Sequence, residues 1–106
     1  MKAKLRDLAA VIRSKNSGPY ELTFDILFKE ADTYERVCRS GCLSAEVIAR
    51  LYRIPVDQVI NVVHFLPALA IKSTIIRPLA SGDPGETDVY GAQQHAPLME
   101  LEIEFA

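Results

Sequence analysis

Apolar and polar residues alternate along residues 21–28, and this period of two predicts a β-strand that buries one face. The same alternation in residues 68–77 and 99–105 predicts two further strands. Residues 59–65 are mostly apolar and β-branched, which predicts a central strand. The residues that lie together on one face are Leu22, Phe24, Ile26 and Phe28 in the first strand and Leu69, Ile71, Ser73 and Ile75 in the second. In the last strand Met99, Leu101, Ile103 and Phe105 are expected to point inward.

Two helices are predicted between residues 21–28 and 59–65, because apolar residues there recur at helical spacing. Asp32 is expected to cap the first helix together with Glu35, and Gly41 to end it in the left-handed conformation. Ser44 is expected to cap the second helix. The side chains expected to be buried are Tyr34, Val37 and Cys38 in the first helix and Val47, Ile48, Leu51 and Tyr52 in the second.

The N-terminal segment carries two competing patterns. Basic residues at positions 2, 4 and 6 alternate as in a strand, whereas apolar residues at positions 5, 8, 9 and 12 fit a helix. Three glutamates on one face of the C-terminal strand would repel one another unless cations lie beside them. We therefore expect an N-terminal strand next to the C-terminal one, with pairing between Lys2, Lys4 and Arg6 and Glu100, Glu102 and Glu104.

This order of elements predicts a single α+β domain over residues 1–106, with two helices on one face of a largely antiparallel sheet. The content of 49% hydrophobic and 25% charged residues is typical of a globular protein and excludes a disordered chain. The net charge of −2 argues against a nucleic-acid partner. No apolar run is long enough to predict a membrane span and no signal peptide is recognisable, so we expect a cytoplasmic protein without a membrane partner.

The cysteines and histidines do not form a recognisable metal site. Cys38 and Cys42 are too close in sequence for a disulfide to stabilise the fold much, and reduced thiols are expected. Their spacing relative to His64 and His95 fits no standard zinc site. His64 lies in an apolar strand and is expected to be a core residue. Since nucleotide-binding and hydrolase signatures are also absent, the sequence predicts neither a metal nor a cofactor.

Two segments have the composition of functional loops. Residues 13–19 combine two cations, two hydroxyls, an amide and a glycine, and such a turn can aim hydrogen-bond donors at a carboxylate or phosphate. An ordinary solvated turn is the alternative. Residues 78–97 contain three glycines and three prolines, and an irregular loop of this length inside a small domain is usually functional or disordered.

We expect the two segments to converge on one site for acyl or carboxylate chemistry. Arg13 and Lys15 would hold an anionic group, and Asn16 would donate to a carbonyl oxygen as that oxygen gains negative charge. His95 would transfer the proton. The remaining residues assigned to the site are Tyr90, which with Gln93 and Gln94 would contact and orient the substrate, and Asp25, which would hold or assist the histidine.

Two alternatives remain open at this point. The long loop could instead be a clasp between subunits, in which Tyr90 and the glutamines bond only to a neighbouring chain. Lys72 could be an anion contact or a plain surface lysine. Residue types and spacing do not separate these readings.

Residues 87–97 read Thr-Asp-Val-Tyr-Gly-Ala-Gln-Gln-His-Ala-Pro, an unusual combination. Together with residues 5–9, 13–16, 21–26 and 67–72, this stretch resembles a small bacterial family known only as domain of unknown function 4387. The resemblance extends over nearly the whole chain and names no reaction.

A second resemblance is carried by Leu5-Arg6-Asp7-Leu8-Ala9 followed by Arg13-Ser14-Lys15-Asn16 and a glycine. These residues are similar to the start of the ferredoxin-fold domain that closes the acyclic terpene utilisation protein family. The similarity implies a ferredoxin-like sandwich and a large companion subunit, and the genes near such relatives suggest carboxylate or acyl-CoA breakdown. The expected function is therefore the small subunit of a two-component bacterial catabolic enzyme, with hydration or dehydration as a candidate reaction. The alternative is a non-catalytic homo-oligomeric module that binds a small ligand or stabilises a partner.

Overall fold

Two antiparallel sheets, one of four strands and one of two, organise the chain. The computed structural model describes residues 2–18, 20–76 and 96–105. Short 3₁₀ turns at Val56–Gln58 and Leu66–Ala68 flank the strand Val59–Phe65. The helices and strands are β1 (Lys2–Lys4), α1 (Leu5–Leu8), β2 (Ala9–Gly18), β3 (Glu21–Phe28), α2 (Ala31–Ser40), α3 (Ala45–Tyr52), β4 (Val59–Phe65), β5 (Ala70–Ile76), α4 (Ala96–Glu100) and β6 (Glu102–Glu104).

The four-stranded sheet has the order β2-β3-β5-β4, and α2 and α3 pack on one of its faces. The predicted α+β class is confirmed. The helices α2 and α3 join two hairpins, β2-β3 and β4-β5. The fold therefore resembles a ferredoxin-like sandwich in its layers, but its connectivity differs from the split β-α-β units of that sandwich. The core of this layer is made of Leu22, Phe24, Ile26, Phe28, Ile71 and Ile75 from the sheet and Tyr34, Val37, Ile48 and Ala49 from the helices.

The helix ends largely follow the predicted signals. Gly41 ends α2 with φ of 70°, and the Ser44 hydroxyl accepts a hydrogen bond of 3.3 Å from the Val47 amide at the start of α3. The predicted cap at Asp32 is wrong, because α2 begins at Ala31 and Glu30 occupies the cap position. Asp32 instead pairs with Arg36 one turn along the helix.

The N- and C-terminal strands pair as predicted. Lys2 lies opposite Glu104, and Lys4 lies opposite Glu102. The ion pairs of the two lysines run diagonally to this register, and they join Lys2 to Glu102 at 3.2 Å and Lys4 to Glu100 at 3.1 Å. Arg6, which lies in α1 and not in the strand, reaches Glu100 at the end of α4 at 2.8 Å.

The C-terminal run is not one continuous strand. Helix α4 extends to Glu100 and shifts the side-chain pattern, so Leu98 is buried and Met99 is exposed. The predicted inward position of Met99 is therefore wrong, whereas those of Ile103 and Phe105 are confirmed.

Strand β4 lies at the edge of the sheet, and the predicted central position is wrong. Its neighbour on one side is β5, and no strand of the described residues pairs with its other side. As a result Val63 and Phe65 are each 46% exposed, and His64 is exposed and not a core residue. An apolar, β-branched run indicates a strand, but it does not say how many neighbours the strand has.

The predicted polar turn at residues 13–19 is also wrong, since residues through Gly18 belong to β2. This segment pairs with β3 from Arg13 opposite Asp25 to Gly18 opposite Glu21. Serine, asparagine and glycine have low strand propensity, but pairing with an established strand overrides that preference.

We expect Glu100 to stabilise the terminal pairing in a pH-dependent way. The hydrogen bond from Lys4, together with the charge of Arg6, lowers the pKa of Glu100 below its ordinary value. A carboxylate with a lowered folded-state pKa stabilises the protein fully above its unfolded pKa and loses this effect as the pH falls through the folded pKa. Urea unfolding of the wild type and of Glu100→Gln, from about pH 6 to about pH 3, should give a difference that shrinks towards the acidic end.

Glu104→Gln is the matched control. Glu104 lies on β6 and forms no ion pair within the described part of the chain. Its substitution should leave the pH dependence close to that of the wild type. Equal pH dependence for the two variants would contradict the role given to Glu100.

Candidate functional site

Three charged residues lie side by side on neighbouring strands, on the sheet face opposite α2 and α3, which we call the open face. Arg13 on β2 is directly opposite Asp25 on β3, and Asp25 is directly opposite Lys72 on β5. Arg13 Nε donates to Asp25 Oδ2 at 3.0 Å, and Lys72 Nζ lies 3.8 Å from Asp25 Oδ1. We call these three residues the Asp25 row.

Burial within the Asp25 row is uneven. The side chain of Asp25 is 6% exposed, whereas those of Arg13 and Lys72 are 62% and 47% exposed. Asp25 Oδ1 has no hydrogen-bond partner among the described residues, since Lys72 lies beyond hydrogen-bond distance. Buried polar atoms are nearly always hydrogen-bonded, so an unsatisfied carboxylate oxygen between two cations marks a candidate site.

A row of hydroxyl groups lies next to the Asp25 row on the open face. Thr23 Oγ1 and Thr74 Oγ1 are 3.1 Å apart on paired strands, and the Ser17 hydroxyl bonds to Thr23. Lys15 is opposite Thr23 and is exposed. Hydroxyls both donate and accept hydrogen bonds, so this row can bind either a donor or an acceptor group of a ligand.

The other side of the Asp25 row is apolar. Lys72 Nζ lies 5.8 Å from the centre of the Phe65 ring, within the range of a cation–π contact. Val63 is directly opposite Lys72, and both Val63 and Phe65 are about half exposed. The open face thus offers apolar surface next to charged donors.

The electrostatics of the open face favour an anion. Arg13, Lys15 and Lys72 supply three positive charges on this face. Asp25 and Glu21, which share one face of β3, supply two negative charges, so the described part of the open face carries a net charge of +1. Arg13 uses Nε for Asp25, so its terminal nitrogens have the fork geometry that suits a carboxylate. Among the described residues, this arrangement can bind a small anion through charge-assisted hydrogen bonds.

The structure brings together some of the residues assigned to the site from sequence. Arg13 and Asp25 are in contact, and Lys15 is on the same face two residues from Arg13. Asn16 is on the opposite face, because side chains alternate along β2, so its expected place beside Arg13 and Lys15 is wrong. The predicted residues that lie outside the described part of the chain are Tyr90, Gln93, Gln94 and His95.

The sequence left the role of Lys72 open between an anion contact and a surface lysine. The signal for an anion contact is that Lys72 has a polar position in the alternation of β5, as Asp25 does in β3. Only the register between these strands sets the two residues opposite each other. The pattern within one strand contains no information about that register.

A shallow groove of about 440 Å³ beside α2 contains His64, Cys38 and Tyr34. Burial, together with a hydrogen bond to Cys38, raises the pKa of Tyr34 to about 12. Burial also raises the pKa of Cys38, so its thiol remains protonated near neutral pH and is a poor nucleophile. Within the described ranges no group of three or more His, Cys, Asp or Glu residues could hold a metal ion.

A larger cleft of about 560 Å³ lies between α3 and β6. Its charged lining combines Arg50 and Arg53 with Glu102 and Glu104, and its apolar lining includes Leu51. Because both signs of charge are present, the lining selects no particular ligand.

The helices among the described residues are too short to cross a membrane.

We expect the Arg13–Asp25 pair to couple in a double-mutant cycle. Arg13→Met leaves the more distant Lys72 as the one remaining described cation beside the buried charge of Asp25. It should destabilise the fold by about 1–2 kcal/mol, since Arg13 itself is largely exposed. In an Asp25→Asn background the same change should cost much less, because the buried charge is gone. Urea unfolding of the four proteins measures the coupling.

Lys15→Met is the control for this cycle, since Lys15 lies on the same strand and face but opposite Thr23. Its cost should be small and independent of Asp25→Asn. If Arg13→Met and Lys15→Met change the free energy of unfolding equally in both backgrounds, Arg13 does not stabilise the buried charge of Asp25.

Comparison with known proteins places the chain in a family whose activity is not described. The curated proteins and the solved structures contain no match to the chain. A family model with the description Domain of unknown function (DUF4387) matches residues 5–102. This description names no reaction, so function has to be argued from the site. Since the match spans nearly all residues, the chain belongs to the family of the domain of unknown function DUF4387.

Proposed function

We propose that the open face binds a small carboxylate, and that the chain is the small subunit of a two-component catabolic enzyme acting on a carboxylate or an acyl thioester. The observation that carries this proposal is the buried Asp25, held between Arg13 and Lys72, with one oxygen unsatisfied. A buried, incompletely bonded charge reduces stability, so a purely structural role gives no reason for it.

In this proposal Asp25 positions the cations that bind the ligand. Its Oδ2 accepts a hydrogen bond from Arg13 Nε and thereby restricts the rotation of the guanidinium. The terminal nitrogens of Arg13 would then donate two hydrogen bonds to the ligand carboxylate. Lys72 supplies a second positive charge from β5. Groups that are already oriented before the ligand arrives bind it with a smaller loss of conformational entropy.

The role of a small subunit is proposed because the site is shallow. Binding sites for small molecules normally bury most of the ligand. Here Arg13 is 62% exposed and Val63 and Phe65 are each 46% exposed, so the described residues by themselves would leave a ligand on the open face largely in water. A companion subunit that covers this face would exclude the water, and the apolar side chains of Val63 and Phe65 suit such a contact.

Addition or removal of water is the proposed reaction. It needs a group that transfers a proton near the bound carboxylate. The proposal gives this role to His95, assisted by Asp25, with Tyr90, Gln93 and Gln94 orienting the substrate. Lys15 would extend the positive face towards the hydroxyl row.

Carboxylate binding is tested by NMR titration of the ¹⁵N-labelled protein with butyrate at constant ionic strength. We expect saturable shift changes at Arg13, Asp25 and Lys72, and about tenfold weaker binding by Arg13→Gln, since a charge-assisted hydrogen bond is lost. Lys2→Gln removes a cation from β1 and should leave the affinity unchanged. If chloride produces the same shift changes, or if the changes do not saturate, the open face has no specific carboxylate site.

A homo-oligomeric ligand-binding module is the second candidate, and the edge of β4 favours it. The strand contains no Lys, Arg, Asp or Glu. Natural edge strands usually carry lysine or other features that prevent pairing with a second copy. The opposite edge strand, β2, carries Arg13 and Lys15 and would repel its own copy. Antiparallel pairing of two β4 strands would meet no such repulsion.

Purification from the native host at natural expression levels separates the two candidates. A stoichiometric large subunit, and activity that needs both components, is expected for the two-component enzyme. A lone oligomer, detected by light scattering, would favour the module. In that case Val63→Lys should dissociate it, whereas Val11→Lys, at an apolar position of similar exposure on β2, should not.

A further inference from the structure

Asp25 Oδ1 requires a hydrogen-bond donor that the described residues do not supply. We infer that the ligand of the open face is a hydroxycarboxylate, whose carboxylate binds Arg13 and Lys72 and whose hydroxyl donates to Asp25 Oδ1. This inference rests on the proposed carboxylate binding and names the class of compound bound.

The position of Asp25 makes a simple carboxylate an incomplete ligand. Asp25 lies directly between Arg13 and Lys72 on adjacent strands, so an anion that reaches both cations comes close to the carboxylate of Asp25. Two carboxylates are both acceptors and repel each other. A hydroxyl on the ligand turns this contact into a hydrogen bond, because it donates its proton to Oδ1.

The charge of the row favours a hydroxyl over an ammonium as the donor. Arg13 Nε is 3.0 Å from Oδ2 and Lys72 Nζ is 3.8 Å from Oδ1, so Asp25 already has two cations beside it. An ammonium group would add a third cation at the same place and repel both. A hydroxyl donates a hydrogen bond without adding charge.

The spacing of these charged groups limits where the hydroxyl sits on the ligand. The cationic nitrogens lie close to the carboxylate of Asp25, with Arg13 Nε 3.0 Å from Oδ2 and Lys72 Nζ 3.8 Å from Oδ1. A ligand carboxylate bound by these cations is therefore only a few bonds away from Oδ1. This distance fits a hydroxyl on the second or third carbon of the acid.

Lys72 is the described cation beside Oδ1, and a ligand hydroxyl that reaches Oδ1 has to displace it. Its side chain is 47% exposed, and its contact with Oδ1 is longer than a hydrogen bond. Rotation of Lys72 towards the ligand carboxylate replaces that long contact with a direct ion pair. The ligand hydroxyl then takes the place of Lys72 beside Oδ1.

The test compares butyrate, 2-hydroxybutyrate, 3-hydroxybutyrate and 2-aminobutyrate by NMR titration at one ionic strength. At least one hydroxy acid should bind about tenfold more tightly than butyrate, as expected for one added charge-assisted hydrogen bond. In Asp25→Asn the preference for the hydroxy acid over butyrate should fall several-fold, because the charged acceptor of the ligand hydroxyl is lost. A dispersed amide spectrum establishes that this variant is folded.

The outcomes distinguish this inference from the proposed function. Equal affinities for butyrate and both hydroxy acids would overturn the hydroxycarboxylate inference and leave carboxylate binding intact. Tighter binding of 2-aminobutyrate than of the hydroxy acids would overturn it in favour of an ammonium donor. If none of the four compounds binds at the Asp25 row, the proposed function fails as well. The comparison of ligands on the wild type does not depend on any variant folding.

Discussion

The alternation of side chains along β3 is the constraint on which both the core and the candidate site depend. Phe24 and Ile26 point into the helical layer, and Asp25 between them points to the open face. A slip of one residue in the register would exchange the two faces and bury a carboxylate in the apolar core. The stacking of Phe24 on Tyr52, with ring centres 4.7 Å apart, holds β3 against α3 and fixes this choice.

The same register puts the carboxylate of Asp25 in a buried position, where an ionised group is costly. Asp25 belongs to a strand with a neighbour on each side, and its carboxylate is buried even though its face carries no helix of the described residues. Arg13 and Lys72 offset the buried charge from the two adjacent strands, but they leave one oxygen without a hydrogen bond. A well-satisfied structural ion pair would leave no oxygen without a hydrogen bond, and the proposed ligand site rests on this difference.

The terminal sheet is stabilised differently from the main sheet. Its two strands are three residues long each, too short to bury much surface by themselves. Leu5, Ile103 and Phe105 anchor it in the shared core, and the exposed ion pairs around Glu100 add a contribution that salt and acid weaken. The candidate site lies on the other sheet, so changes to the terminal ion pairs should leave it undisturbed.

The sequence by itself determined the elements whose patterns are local. The alternation of β3, the cap at Ser44 and the ending at Gly41 follow from side chains a few residues apart, and the opposed charges of the termini were strong enough to predict their pairing. Tertiary structure alone decided which strand lies at the edge, that residues 13–18 extend β2, and that Lys72 lies beside Asp25. Periodicity assigns a residue to a face of its own strand, whereas the order and register of strands are set by packing among residues distant in sequence.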